Sequence, residues 1–188
     1  MMLALLAALA LAAPPDSIPP HELLQYELTI VAGDPTGHIT GQADITWRIT
    51  SGAPIMLTMD PAIRVVRVIT ASGPAGNRRG GWGRNADTVF VPQELAPGDT
   101  LITRIRFHGL PNHGLVATHG APGGWFPAPF DPRAAVPLTL KVEVPAGYRP
   151  EAVGRAERVD TLAHGRTVTT FRSSGPLWLG DVRISTIP

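Results

Sequence analysis

From Tyr26 onward, apolar and polar positions alternate. Tyr26, Leu28 and Ile30 are separated by Glu27 and Thr29, and Ile45, Trp47 and Ile49 by Thr46 and Arg48, with Asp44 ahead of them. Leu101, Ile105 and Phe107 share one parity, while Arg104 and Arg106 take the other. Leu138, Leu140, Val142 and Val144 alternate with Thr139, Lys141 and Glu143. Successive side chains of an extended strand point to opposite faces, so each run predicts a strand with one buried face. Shorter strands are predicted over 55–59, 64–69, 88–91, 152–159, 167–171 and 178–184, giving about ten strands. Turn chemistry separates them. Gly33-Asp34-Pro35-Thr36-Gly37, Pro97-Gly98-Asp99 and Ala163-His164-Gly165-Arg166 combine the fixed φ of proline with the left-handed tolerance of glycine. After the first residues no stretch shows the i, i+3, i+4, i+7 spacing of an amphipathic helix. The expectation is an all-β domain, an antiparallel β-sandwich. Two irregular stretches remain, 72–87 and 108–137. A loop of the second length inside a compact domain is functional or packs on itself.

The N-terminus departs from this pattern. Met1 to Ala13 reads MMLALLAALALAA. This is shorter than the ~20 apolar residues that a bilayer span needs. It matches the apolar core of a secretory signal, with Ala10-Leu11-Ala12 offering the small residues of a cleavage site. Pro14 and Pro15 stop any helix there. We expect a signal helix over 1–12, cleavage after Ala12, a Pro-rich lead-in over 13–23 and a β-domain over 24–188. The protein is then secreted or periplasmic, with no membrane span after signal removal.

Composition narrows the chemistry. The chain has 188 residues, suited to one domain, and no cysteine. Disulfides, thiolate metal sites and cysteine nucleophiles are therefore absent. Only 16% of residues are charged and the net charge is +1, so no strong field attracts nucleic acid or an anionic membrane. Gly and Pro each number 20, which the turns account for.

No catalytic signature emerges. His21-Glu22 looks like the start of a zinc-binding His-Glu-x-x-His, but Gln25 stands where the second histidine belongs. Ser173-Ser174-Gly175-Pro176 is a turn and does not form a nucleophile elbow. Imidazoles gathered in space can hold zinc or copper, which makes His108, His113 and His119 a candidate cluster. Their spacing fits no ligand pattern, and exposed loop histidines are the simpler expectation. Asn77 to Arg84 interleaves Arg, Gly and Trp as nucleic-acid contact segments do, but it is one short stretch in a chain of net charge +1, and a long flexible hairpin loop is the expectation. Trp125-Phe126-Pro127-Ala128-Pro129-Phe130-Asp131-Pro132-Arg133 concentrates aromatics beside a carboxylate. Asp131 could anchor a ligand or accept backbone N–H bonds that lock the loop. The aromatics could form an interaction hot spot or plug one end of the sandwich.

This last segment carries a family resemblance. Phe107-His108-Gly109-Leu110-Pro111, Gly114-Leu115, Trp125-Phe126-Pro127 and Asp131-Pro132 follow one another as in the N-terminal β-domain of M1 zinc aminopeptidases, the group of aminopeptidase N and leukotriene A4 hydrolase. Val142-Glu143-Val144-Pro145-Ala146-Gly147 is similar to the next strand and turn of that domain. Tyr26 to Ile30 with Gly41, Ala43 and Ile45 resembles its first hairpin, and Pro176 to Gly180 its last strand. The resemblance covers most of 24–186 and implies a saddle-like form of the sandwich. There are departures. Thr118-His119 stands where the family carries a Gln or Glu facing the substrate's amine. Gly123-Gly124 replaces an Ala-Arg pair, and Val153-Gly154 replaces Asn-Gly. The family's Gly-x-Met-Glu-Asn and His-Glu-x-x-His do not occur in these 188 residues.

The expected function is therefore an exported, non-catalytic β-domain with a binding or accessory role toward a peptide or partner protein, including a separately encoded catalytic domain. No cofactor, metal or nucleic acid is expected. The residues expected to form the binding loop are His119, Trp125, Phe126, Pro127, Phe130, Asp131 and Arg133. The alternative is the N-terminal fragment of a zinc metalloaminopeptidase. A distinct β-sandwich enzyme using the histidine loop ranks last.

Overall fold

The structure, a computed structural model, describes residues 21–33, 35–72, 77–78, 81–112, 114–115, 124–129 and 135–187. The expected signal segment lies outside them. Two long strands open the domain, β1 (His21–Val31), beginning inside the expected lead-in, and β2 (Ile39–Ile49). They are followed by β3 (Ile55–Thr58), β4 (Ile63–Ser72), the short β5 (Asn77–Arg78), β6 (Gly83–Asn85) and β7 (Thr88–Val91). The long β8 (Thr100–Gly109) leads to β9 (Ala128–Pro129), β10 (Ala135–Val136) and β11 (Leu138–Val144). The C-terminal part contains β12 (Arg149–Ala152), β13 (Arg155–Thr161), β14 (Thr167–Arg172), β15 (Leu177–Trp178) and β16 (Ile184–Ile187).

Eight strands form the main sheet in the order β13-β14-β11-β1-β2-β8-β4-β5. A second sheet has the order β6-β7-β3-β9, and β10-β15 and β12-β16 form two-stranded ribbons. The expected all-β fold is present, and the alternating runs are its long strands. On β1, β2, β8 and β11 the predicted apolar parity is the buried one. Those side chains join Ile55 and Leu57 of β3 and Val89 and Val91 of β7 in one core. Strand and core thus follow from the same alternation, because one face must leave water.

Three details differ from the sequence reading. The β1–β11 ladder is parallel, Tyr26 opposite Leu138 and Ile30 opposite Val142, so the sheet is mixed. The single strand expected over 152–159 is two. Gly154 has φ +98°, and a Cβ there would lie 2.8 Å from the Arg172 carbonyl oxygen. The chain turns at this point, sending β12 to pair with β16 and β13 to pair with β14. The strand expected over 178–184 is also interrupted. β15 ends at Trp178, a 3-10 turn covers Leu179–Asp181, and β16 starts at Ile184.

Packing across the centre of the sheet is graded by size. The inward row Ile30–Gly41–Phe107 places a large side chain on each side of a glycine. A Cβ at Gly41 would meet Phe107 Cε2 at 2.6 Å and Ile30 Cδ1 at 2.7 Å. The Phe107 ring occupies the space a side chain on β2 would take. Gly41→Ala should therefore overpack the core and lower stability by ~1–3 kcal/mol in denaturant unfolding.

Candidate functional site

The described part of the segment singled out by sequence, residues 125–129, comes to rest beneath the main sheet. Trp125 and Phe126 are 2% and 1% exposed, so these two rings are core residues and not a surface patch. Their rings meet edge-on, with centroids 4.8 Å apart at 69°, and Phe126 meets Tyr26 of β1 at 5.8 Å and 77°. Such edge-to-face pairs are favoured by the ring quadrupoles. The Tyr26 hydroxyl donates to the Pro127 carbonyl oxygen, joining the buried end of the phenol to the loop backbone. β9 continues the loop and pairs with β3, Leu57 opposite Pro129 and Thr58 opposite Ala128. The Trp125 indole N–H is buried with no acceptor among the described residues. Tyr26 is fully buried, and burial raises its pKa well above the usual phenol value, with Asp44 adding to the rise.

A polar knot holds the loop's entry and exit. Asp60 is buried between β3 and β4. Its Oδ1 accepts from Asn112 Nδ2 and from the Ala62 N–H, each at 2.8 Å, and its Oδ2 accepts from the Asn112 N–H at 2.8 Å. The Asp60 N–H donates to the Gly124 carbonyl at 2.9 Å. One residue therefore grips the loop at 112 and again at 124. Arg84 of β6 completes the knot by donating to carbonyl oxygens. Its Nη2 reaches Asp60 at 2.8 Å and Met59 at 3.3 Å, its Nε reaches Ala86 at 2.8 Å, and its Nη1 reaches Ile63. Burial lowers the Arg84 pKa, and the Asp60 and Asp87 carboxylates oppose that shift. Part of the segment read as an Arg-Gly-Trp loop is thus a β-hairpin arm whose arginine binds backbone.

Of the expected binding residues, Trp125, Phe126 and Pro127 are brought together as core. His119, Phe130, Asp131 and Arg133 lie outside the described residues. The histidine cluster is not assembled within those residues. His108 is exposed on β8 with Thr40 and Arg64 as its cross-strand neighbours, and His113 and His119 lie outside. No group of three or more His, Asp or Glu suited to a metal ion occurs among the described residues. His21, the false start of a zinc motif, is buried, with Nε2 2.9 Å from the Ala53 carbonyl oxygen, while Glu22 pairs with Arg48 at 2.8 Å. Ser173 Oγ accepts from the Leu138 N–H at 3.0 Å, a structural task. A cleft of about 300 Å³ at the end of the β1–β2 hairpin is lined by Ala32, His38, Ile39, Pro145 and Arg166, and Arg166 already pairs with Glu143 at 2.5 Å. Sequence reasoning missed Asp60, Arg84 and Asn112. The acid–proline pair Asp60-Pro61 between two predicted strands was the available signal.

The architecture defines a class, a mixed β-sandwich module with a buried aromatic loop. Solved M1 zinc metallopeptidases share this fold over part of their length. An M1 zinc metallopeptidase mutant from Deinococcus radiodurans bound to a Tyr-Ser-Ala substrate superimposes with a TM-score of 0.72 at 19% identity. A two-domain M1 zinc metallopeptidase mutant bound to L-tryptophan gives 0.71 at 20%, and one bound to L-arginine 0.72 at 20%. In each case 90% of this chain is covered, but only 43% of the other. The chain therefore has the fold of part of an M1 zinc metallopeptidase and spans less than half the length of these structures, in keeping with the resemblance of its sequence to one domain of that family. No family profile and no curated protein matches it.

Truncating Trp125→Ala should destabilise the domain by ~3–5 kcal/mol, read as a lowered melting temperature, because it empties a buried ring site. The raised Tyr26 pKa gives an alkaline limit. Folded Tyr26 keeps its proton while the unfolded phenol loses it near ~10, so its contribution to stability is complete below that pH and falls above it. Absorbance titration should show Tyr26 ionising only as the fold is lost.

Proposed function

We propose that this β-domain is an exported, non-catalytic module with a binding or accessory role toward a peptide or partner protein. The observation that carries the reading is the coverage: 90% of the chain matches 43% of M1 zinc metallopeptidase structures, while the 188 residues contain no His-Glu-x-x-His. A zinc-dependent hydrolysis needs metal ligands and a general base. The described residues do not fit a zinc ion, since His108 stands among arginine, threonine and glutamine with no carboxylate beside it on the neighbouring strands. No catalytic step is assigned to this chain.

An accessory role requires a surface, and the fold leaves the outer face of the main sheet available for one. The aromatic loop is spent on the core, so a partner would not be gripped by Trp125 or Phe126. Export rests on the N-terminal apolar stretch. The second reading, part of a longer zinc metalloaminopeptidase, is favoured by the same 43% coverage. An adjacent reading frame encoding His-Glu-x-x-His, whose product binds this chain or continues it, would supply the missing chemistry in either case.

The purified chain, supplied with zinc, should release nothing above blank from leucine p-nitroanilide or from Tyr-Ser-Ala. Turnover that a chelator abolishes would overturn the non-catalytic reading.

A further inference from the structure

The outer face of the main sheet has an uneven charge pattern. Its carboxylates all have partners. Glu22 pairs with Arg48, and Glu143 with Arg166. Asp44 takes Arg104 in a two-bond fork of 2.8 and 2.9 Å. Glu27 accepts from Gln25 Nε2 at 2.8 Å. On β13 and β14, Asp160 pairs with Arg158 at 2.7 Å and Glu157 with Arg172 at 3.4 Å.

The cations left over include Lys141 of β11 and Arg155 of β13, and the densest group of them lies on β4 and β8. Arg67 of β4 lies directly opposite Arg106 of β8, and Arg64 lies opposite His108. All four are exposed. A bulge between Val65 and Arg67 restores the parity after Val66, so Arg64 and Arg67 both face outward while Val65 and Val68 stay buried. Arg106 Nε donates to Gln42, a neutral partner at 3.0 Å, and no carboxylate pairs with Arg64, Arg67 or Arg106 among the described residues. Cross-strand neighbours have Cβ atoms about 5 Å apart, and like charges so placed repel. Residues two apart on a strand are separated by about 7 Å. The result is a compact square of three guanidinium groups and one imidazole on a flat surface, in a chain of net charge +1.

We infer that this square, Arg64, Arg67, Arg106 and His108, is a docking site for an extended acidic peptide segment of a protein partner. It deepens the accessory reading by naming the partner's chemistry, and rests on that reading only in taking the partner to be a polypeptide. Carboxylates at alternate positions of an extended segment repeat at about 7 Å, the spacing of Arg106 and His108 along β8. Guanidinium groups bind carboxylates through paired N–H donors, which gives such a contact direction as well as charge. Nucleic acid fits less well. It needs a long cationic track and aromatic platforms for its bases. Here the neighbouring rows carry Glu27 and Asp44, and the residues beside the square are Thr40, Gln42 and Val66.

The test is fluorescence anisotropy of a labelled peptide of alternating Glu and Ser, titrated with the full chain at low salt. We expect saturable binding that weakens as salt rises. It should fall about tenfold or more in the double charge reversal Arg67→Glu/Arg106→Glu. Arg67→Gln/Arg106→Gln should also lose affinity while melting at or above the parent temperature, since it removes the opposed charges. Arg155→Glu, on the edge strand β13, should bind as the parent does. The inference is overturned by absence of peptide binding at low salt, by equal binding to parent and Arg67→Glu/Arg106→Glu, or by tighter binding of a single-stranded oligonucleotide of equal charge. These outcomes are independent of the peptidase assay. A chain that binds the peptide but hydrolyses substrates fails only the non-catalytic reading, and a silent chain that ignores the peptide fails only this one.

Discussion

The contact between Tyr26 and the Pro127 carbonyl is the constraint on which the domain's organisation depends. It joins the first long strand to the backbone just ahead of β9. Phe126 and Trp125 follow Pro127 into the interior, and their burial closes the space between the main sheet and the smaller one. Asp60 makes the same connection from the other side, gripping Asn112 and Gly124 with one carboxylate and one N–H. Ordering the backbone at 112 and at 124–127 costs conformational entropy. Aromatic burial supplies the offsetting free energy, and the polar knot fixes which backbone groups meet.

This arrangement determines what remains for function. Trp125 and Phe126 are consumed by packing, so the recognition proposed above draws on other residues. The outer face of the main sheet is largely polar, its carboxylates are partnered, and its surplus of positive charge is densest on β4 and β8. Charge of this kind does little for folding stability when it is exposed, but it selects and orients an approaching partner. The fold is shared with part of M1 zinc metallopeptidases.

Much of the architecture was legible because period-2 alternation reports burial directly. Tyr26, Leu28 and Ile30, like Leu138 to Val144, could bury one face only as strands. Alternation does not say which strand lies beside which, or in which direction, so the parallel β1–β11 ladder had no local signal. Gly154 was visible as a glycine, but its left-handed conformation is imposed by the different partners of β12 and β13. Trp125 and Phe126 were recognised as special yet remained ambiguous, since Pro-spaced aromatics in a loop have no period that separates a plug from a patch. Asp60, Arg84 and Asn112 were missed for a related reason. Their bonds run from side chain to distant backbone, and such bonds depend on tertiary placement. The square on β4 and β8 needed the strand register before Arg67 and Arg106 could be seen to face each other.

The central claim is that the aromatic loop belongs to the cooperative core. It can be read from one tryptophan. A chain with Trp47, Trp82 and Trp178 replaced by Phe retains Trp125 as its only indole. Its emission should be blue-shifted and insensitive to acrylamide until the thermal transition seen by far-ultraviolet circular dichroism, then change together with it. Emission that is red-shifted and readily quenched in the folded protein, or that changes well before the sheet melts, would contradict the account.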